Sequence, residues 1–321
     1  MISIVIPTVG RPSLTVLLEA LALSVDDSVE ILLVDDRPPT ARSEALHLPS
    51  TLSAYPKVLA GRGAGPAAAR NVGWRAAQAE WIAFLDDDVV PDRDWFARLA
   101  RDLDVPDDVG GVQGRVRVPL PADRRPTDWE RSTAGLASAR WITADMAYRR
   151  AALAAVGGFD ERFPRAFRED AELAYRVRRA GWRLVRGERR VTHPVRPEDA
   201  FVSVRTQRGN ADDALLRRMY GSRWRSSLEI PSGRRHRHAA VTAALAAAVA
   251  FPGTPIGWLA ALGWLAGTVE FTVARVTPGP RTAREIVTVA VTSVAIPPLA
   301  TAHWLRGWWS ARAARPLGEP S

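Results

Sequence analysis

Residues 2–6, Ile-Ser-Ile-Val-Ile, are an apolar, β-branched run that predicts a buried strand. Pro7, Thr8, Gly10 and Pro12 then predict a turn, and Leu14, Leu17, Leu18 and Leu21 recur at helical spacing behind Ser13, a candidate N-cap. Residues 29–34 predict a second strand that ends in Asp35-Asp36. Residues 58–60 predict a third, entering a glycine-rich loop before an alanine-rich helix over 66–79. A fourth strand, 81–85, ends in Asp86-Asp87-Asp88. Strands and helices alternating this closely imply βαβ units and an α/β fold with a mostly parallel sheet. In such sheets ligands bind at the carboxyl ends of the strands, where both acidic clusters fall.

From 91 to 200 the pattern is mixed. Helices are expected over 94–103, 151–156 and 169–179, strands over 109–118 and 182–186, and a Pro- and Arg-rich loop over 119–131. Residues 201–222 read as polar and helical, and 223–238 as an arginine-rich linker. Residues 239–269 and 286–305 then carry no charge, enough for a membrane span each. They are interrupted by Pro252-Gly253-Thr254-Pro255 and by Pro297-Pro298. The expected division is a catalytic domain over 1–222, the linker over 223–238, two membrane-associated helical hairpins over 239–309, and a disordered tail over 310–321.

Composition narrows the chemistry. The 321 residues include no cysteine, which excludes disulfides, thiolate metal sites and cysteine nucleophiles. Residues 1–7 lack the pattern of a signal peptide. The net charge is +9, Lys57 is the sole lysine, and the arginines concentrate beside the apolar segments. This favours a membrane surface over nucleic acid, since the basic stripe interleaved with aromatics that RNA binders use is missing. Arginine prefers the cytoplasmic side. All clusters reach that side if each apolar segment dips in and returns, with Trp258, Trp264, Trp304, Trp308 and Trp309 as interfacial anchors. Glu270 fits poorly in a full second span, and the alternative is a soluble helical subdomain or dimer interface.

Among candidate site residues the triplet Asp86-Asp87-Asp88 is the sharpest signal. Carboxylates two apart in an extended segment point the same way and can hold one divalent cation against nucleotide phosphates. Acidic residues capping the next helix are the plain alternative. Asp35-Asp36 lies on the same sheet edge, where a carboxylate can accept from a base or ribose; turn chemistry is its alternative. Gly61-Arg62-Gly63-Ala64-Gly65-Pro66 places a glycine loop before a helix N-terminus, a place for phosphate that matches neither the P-loop nor the dinucleotide-binding spacing.

Several stretches together resemble family 2 glycosyltransferases, inverting enzymes of the GT-A fold. They are Ile4-Val5-Ile6-Pro7-Thr8 with Arg11-Pro12, Val34-Asp35-Asp36, Gly65-Pro66-Ala67-Ala68-Ala69-Arg70-Asn71, Phe84-Leu85-Asp86-Asp87-Asp88, Gly157-Gly158-Phe159-Asp160-Glu161 and Arg168-Glu169-Asp170. The resemblance implies that Asp35, Asp36 and Arg70 contact the nucleotide, Asp86 the ribose, and that Thr8 and Asp87 belong to the same binding set. It implies Asp88 as ligand to Mg²⁺ or Mn²⁺, with His193 of Val191-Thr192-His193-Pro194 as a further ligand to metal or diphosphate. Asp170 would be the general base. Trp141, Asp145, Trp182 and the Gly157-Gly158-Phe159 turn are weighed for the acceptor pocket against core packing, the favoured role for the tryptophans. The chain lacks the Gln-x-x-Arg-Trp segment of processive synthases, and Gln207-Arg208-Gly209-Asn210 does not replace it, so transfer of single sugars is expected. The expected partners are a nucleotide-diphosphate sugar donor and a lipid-linked or cell-envelope glycan acceptor at the cytoplasmic membrane face. A nucleotidyltransferase and a catalytically silent membrane scaffold are the alternatives.

Overall fold

The computed structural model describes residues 1–25, 29–49 and 56–316. The chain runs through β1 (Ile2–Thr8), α1 (Ser13–Ala22), β2 (Val29–Asp35), β3 (Pro56–Ala60), α2 (Pro66–Ala76) and β4 (Trp81–Leu85). It continues with β5 (Val90–Pro91), α3 (Trp95–Asp102), β6 (Val109–Arg117), α4 (Asp128–Ala134), β7 (Asp145–Arg149), α5 (Arg150–Ala155), α6 (Glu169–Arg179) and β8 (Arg183–Thr192). Among the described residues the strands form one sheet in the order β3-β2-β1-β4-β7-β6-β8-β5. The first four are mutually parallel; β7 is antiparallel to both β4 and β6, and β6 is parallel to β8. Two reversals restore the direction, so β6 and β8 point the same way as β1, β2 and β4. The carboxyl end of β8 therefore reaches the sheet edge where the acidic clusters lie.

Hydrophobic burial on both faces holds this sheet. Ile4, Ile6, Leu33, Ala83 and Leu85 pack with Leu14, Leu17, Leu18 and Leu21 of α1 and with Trp95 and Leu99 of α3. Val5, Leu32, Val34, Ile82 and Phe84 face the opposite layer, with Trp74, Tyr148, Phe159 and Leu173. Each fully buried large apolar side chain contributes roughly 1.5–3 kcal/mol. Chain order reverses between β1 and β4, with β2 and β3 to one side, which opens a crevice at their carboxyl ends.

Local departures from expectation have physical causes. Ser13 does not cap α1: Pro12 occupies the N-cap without a side-chain bond, and the Ser13 hydroxyl is buried and unpaired. Strand β7 escapes the pattern because four of its five residues are buried, which erases alternation. Strand β8 extends to Thr192, well beyond the expected 186. The expected loop over 119–131 ends in α4, which a capping box starts: the Thr127 hydroxyl accepts from the Glu130 amide while the Glu130 carboxylate accepts from the Thr127 amide.

Past β8 come α7 (Val202–Arg205), α8 (Asn210–Tyr220), α9 (Trp224–Ser227), α10 (Arg235–Ala250), α11 (Pro255–Val276) and α12 (Ala283–Ser310). Helices α9 and α10 occupy part of the expected linker. The first uncharged run forms the expected hairpin, α10–α11, whose second arm is capped by Thr254 with Pro255 at its first turn. The second run does not. Helix α12 passes unbroken through Pro297-Pro298, because packing against α8 on one side and the hairpin on the other overrides local propensity. Its close approach to α8 depends on Gly307, where an added Cβ would stand 2.5 Å from the Ala211 Cα. Arg275 of α11 clamps the turn before the prolines, donating to Thr292 and Ser293 while pairing with Asp128 at 2.6 Å. Helices α11 and α12 are long and apolar enough to cross a membrane by length and composition. Of the expected disordered tail, residues 317–321 lie outside the described residues, whereas Ala311 is buried against Phe163 and Leu216.

Candidate active site

The carboxyl ends of β1, β2, β4 and β8 bring most of the expected residues to one edge. At the end of β1 the Thr8 hydroxyl donates to Asp87 at 2.7 Å, and Arg11 pairs with the other Asp87 oxygen at 2.8 Å. Thr8 sits beside Asp35 in register, and the Asp36 amide continues the ladder by donating to the Thr8 carbonyl. Asp36 organises the glycine loop: its two carboxylate oxygens accept from the amides of Gly63 and Gly65, each at 2.8 Å. Gly65 has φ +97°, and an added Cβ would lie 2.3 Å from the Pro164 carbonyl, so glycine is required where the loop turns into α2. Asp35 is occupied by Arg37, whose hydrogen bonds hold its carboxyl below the ordinary range.

Arg70 on α2 ties the middle of the site together. Its guanidinium, 1% exposed, donates to Asp86 at 2.7 Å and to Glu169 at 2.9 Å. Burial disfavours its charge, but the two carboxylates more than offset this and hold its pKa above the ordinary value. Both terminal nitrogens are thus taken by carboxylates. Arg70 thereby holds two acidic groups in place. The partnership also fixes where α6 begins, because Glu169 and Asp170 form its first turn.

Asp170 is half-buried, and its carboxylate accepts from the Ala171 amide at 2.7 Å. Burial raises its pKa, Arg70 and Arg168 oppose the shift, and Asp86 adds to it. Glu169 is pushed up to about 8, by burial first and by the Asp170 charge second, against the pull of Arg70. Three carboxylates around one guanidinium cannot all ionise cheaply, so this cluster retains a proton over part of the neutral range. The Tyr148 hydroxyl, buried without a partner, lies in the same field; burial and Asp170 raise its pKa.

On the far side of the triplet, Asp88 faces His193 at 3.5 Å and Arg196 at 3.1 Å. Burial and the Asp86 charge raise the Asp88 pKa, with His193 and Arg196 opposing. Asp88 and His193 offer a carboxylate and an imidazole at a separation suited to neighbouring positions on one ion, since bonds of about 2.1 Å place adjacent ligands about 3 Å apart. Among the described residues no group of three or more His, Asp or Glu converges as a metal cage. A divalent ion held by these two donors would take its remaining ligands from phosphate and water oxygens.

Three contributors were not singled out from sequence for these roles. Arg11 braces Asp87, Glu169 anchors Arg70, and Arg196 covers Asp88. The Arg11-Pro12 and Glu169-Asp170 dipeptides are visible signals, whereas nothing in the sequence around Arg196 marks it. Asp145 belongs to the core instead of an acceptor pocket: fully buried, it accepts from Trp95 at 3.0 Å and Arg189 at 2.7 Å. Trp141 is buried and bonded to Glu229, and Gly158 gives room for Asn71 and Trp74, so both serve packing.

With this geometry in place, comparison with known proteins is decisive on one point: residues 3–163 match the family model described as glycosyl transferase family 2. The chain belongs to glycosyltransferase family 2. A mannosyltransferase from Pyrobaculum calidifontis, solved with GDP-mannose and Mn²⁺, superposes with TM-score 0.56 at 18% identity, covering 96% of this chain and 87% of that one. GalNAc-T7, solved with UDP, GalNAc and Mn²⁺, gives TM-score 0.50 at 16% identity over 72% of this chain and 55% of that one. These likenesses establish a GT-A fold. A pre-mycofactocin glycosyltransferase of Mycobacterium tuberculosis is 32% identical over 133 residues, which cover 37% of this chain and 28% of the relative. The family 2 chain thus spans little more than a quarter of that relative's length.

Proposed function

We propose that this family 2 chain transfers single sugars, with inversion, from a nucleotide-diphosphate sugar to an acceptor hydroxyl at the cytoplasmic membrane face. The observation that carries the reading is the Arg70 bridge, which joins the acidic end of β4 to the Glu169-Asp170 turn of α6 in one crevice. In this reading Asp36 and the glycine loop receive the nucleotide, and Asp86 accepts from the ribose. Thr8 and Arg11 hold Asp87 so that the triplet keeps its shape. A divalent ion held by Asp88 and His193 would offset the negative charge that develops on the leaving diphosphate. Two proteins of similar fold were solved with Mn²⁺, which supports a divalent ion as cofactor.

Asp170 is the general base. It is anchored by the Ala171 amide, its raised pKa strengthens it as a proton acceptor, and it takes the proton from the acceptor hydroxyl as that oxygen attacks the anomeric carbon. A single displacement inverts the anomeric centre.

The exposed apolar surface supports membrane association. Phe251, Ile256, Trp258, Leu259, Leu262 and Leu265 of the α10–α11 hairpin are all at least half exposed. Clustered exposure of large apolar residues on one hairpin marks an interaction with lipid or a partner. Two readings of one preparation test the proposal: thermal stabilisation by a panel of sugar nucleotides with and without Mn²⁺, and the anomeric configuration of the product by NMR. Stabilisation by one donor class that depends on Mn²⁺, with an inverted product, is expected. A retained configuration contradicts the single displacement.

A further inference from the structure

Beside the catalytic turn, a cavity of about 320 Å³ is lined by Arg168, Arg225, Arg234 and Arg235, with Asp213 as the acidic residue among its lining groups. Asp213 pairs with Arg168 at 2.8 Å and with Arg225 at 2.5 Å, so one carboxylate answers two guanidiniums. Burial, aided by the Arg168 charge and opposed by Asp213, pulls the Arg225 pKa below its ordinary value. Arg234 pairs with Glu270, but its buried Nε–H has no acceptor. Arg235 stacks on Trp304 and contacts His236, and neither supplies a negative charge.

The start of α10 points to the same ligand class. A helix N-terminus carries partial positive charge and favours acidic residues or anions. Here Arg234 is the N-cap, no side chain caps the helix, and Arg235, His236, Arg237 and His238 fill its first turn. Arg235 and Arg237 are cations at the positive end of a 16-residue helix, an unfavourable placement that Glu270 relieves in part by pairing with Arg234 and Arg237. An anion in the cavity offsets that remaining cost.

The cavity also has an apolar continuation. Arg234 and His238 also line a second cavity of about 660 Å³ between α10 and α11, which holds the Arg237–Glu270 ion pair and is otherwise bordered by apolar residues such as Ala240, Val241, Gly263 and Gly267. Both volumes fall within the roughly 300–1,000 Å³ range of ligand pockets. The small residues leave a trough along a hairpin whose outer face is apolar. Arg168 lines the first cavity and precedes Asp170 by two residues, which places the anionic end next to the base.

Building on the membrane glycosyltransferase reading above, we propose that this arginine cavity binds the phosphate of a lipid-borne acceptor and that the lipid's hydrocarbon chain lies in the α10–α11 trough. Guanidinium forks match phosphate oxygens in bidentate geometry, and the trough buries the chain. The acceptor is thereby held at the membrane surface with its sugar-accepting end toward Asp170.

Dodecyl phosphate, dodecanol and inorganic phosphate serve as probes on the full chain in a mild non-ionic detergent, with binding read by calorimetry. Dodecyl phosphate should bind at least about tenfold more tightly than either of the others, because only it uses both cavities. Arg234→Gln and Arg235→Gln should each weaken it by about tenfold or more, while Arg284→Gln, an equal loss of charge on the exposed start of α12, should leave it unchanged. Inorganic phosphate binding as tightly as dodecyl phosphate would reveal a soluble-anion site and overturn the proposal. Dodecanol binding equally well overturns it too, as does unchanged binding in both cavity variants. Sugar-nucleotide binding on the same samples separates the two levels: its presence with no lipid-phosphate preference refutes this inference alone, and its absence refutes the glycosyltransferase reading itself.

Discussion

Arg70 concentrates the residue-scale physics of this site. A guanidinium removed from water is tolerable only because Asp86 and Glu169 both bond to it. Replacing it with Met leaves two carboxylates without their partner. Arg70→Met should cost about 3–5 kcal/mol in urea unfolding, and a loss below about 1 kcal/mol would show that the bridge is not formed. Glu169 provides a second test. Its folded pKa of about 8 stands above the ordinary 4.5, so the folded chain binds the extra proton between those values. The stability this contributes is complete below about pH 4.5 and is lost as pH rises through 8. Melting temperature should therefore fall across that window in the wild type and fall less in Glu169→Gln; parallel curves would refute the shift. The Asp triplet and Asp35-Asp36 are legible in sequence because short acidic runs close apolar strands. Their partners are not, since Arg11 with Asp87 and Arg70 with Glu169 are separated by 76 and 99 positions and meet only after the sheet has formed.

At the scale of elements, the left half of the sheet is readable because each strand is a short apolar run followed by a helical repeat. The right half is less so. Strand β7 has no alternation, and β5 is two residues long, so neither leaves a periodic trace. The site depends on both halves, because β8 carries His193 to the edge that β4 supplies with Asp88. The hinge between strand and helix at Gly65 is an element-scale prediction. Its backbone conformation is accessible essentially to glycine alone, and a methyl group would collide with Pro164. Gly65→Ala should destabilise the fold by at least about 1–3 kcal/mol and weaken sugar-nucleotide binding, because the Gly65 amide that Asp36 holds must move. Unchanged binding would detach the glycine loop from the nucleotide site. The unbroken α12 teaches the converse of sequence reading. A proline pair predicts a break, yet helix packing on two sides carries the chain through it.

At the scale of the whole molecule, the α/β part positions the chemistry while the α10–α11 hairpin and α12 carry most of the exposed large apolar residues. About a tenth of the most apolar window of α11 is buried, against a third for α12, so the hairpin is the better candidate for insertion. On cell fractionation the chain should stay with membranes through carbonate and leave with detergent. Leu259→Arg, at an exposed hairpin position, should shift it toward the carbonate-soluble fraction. Release of the wild type by carbonate would contradict the membrane reading without touching the active site. The central claim, that three separated stretches build one sugar-transfer site around a carboxylate base, is tested most directly by Asp170→Asn. Donor binding should be retained while kcat falls by about 10²–10⁴. Sugar transfer at a near wild-type rate in that variant would contradict the account.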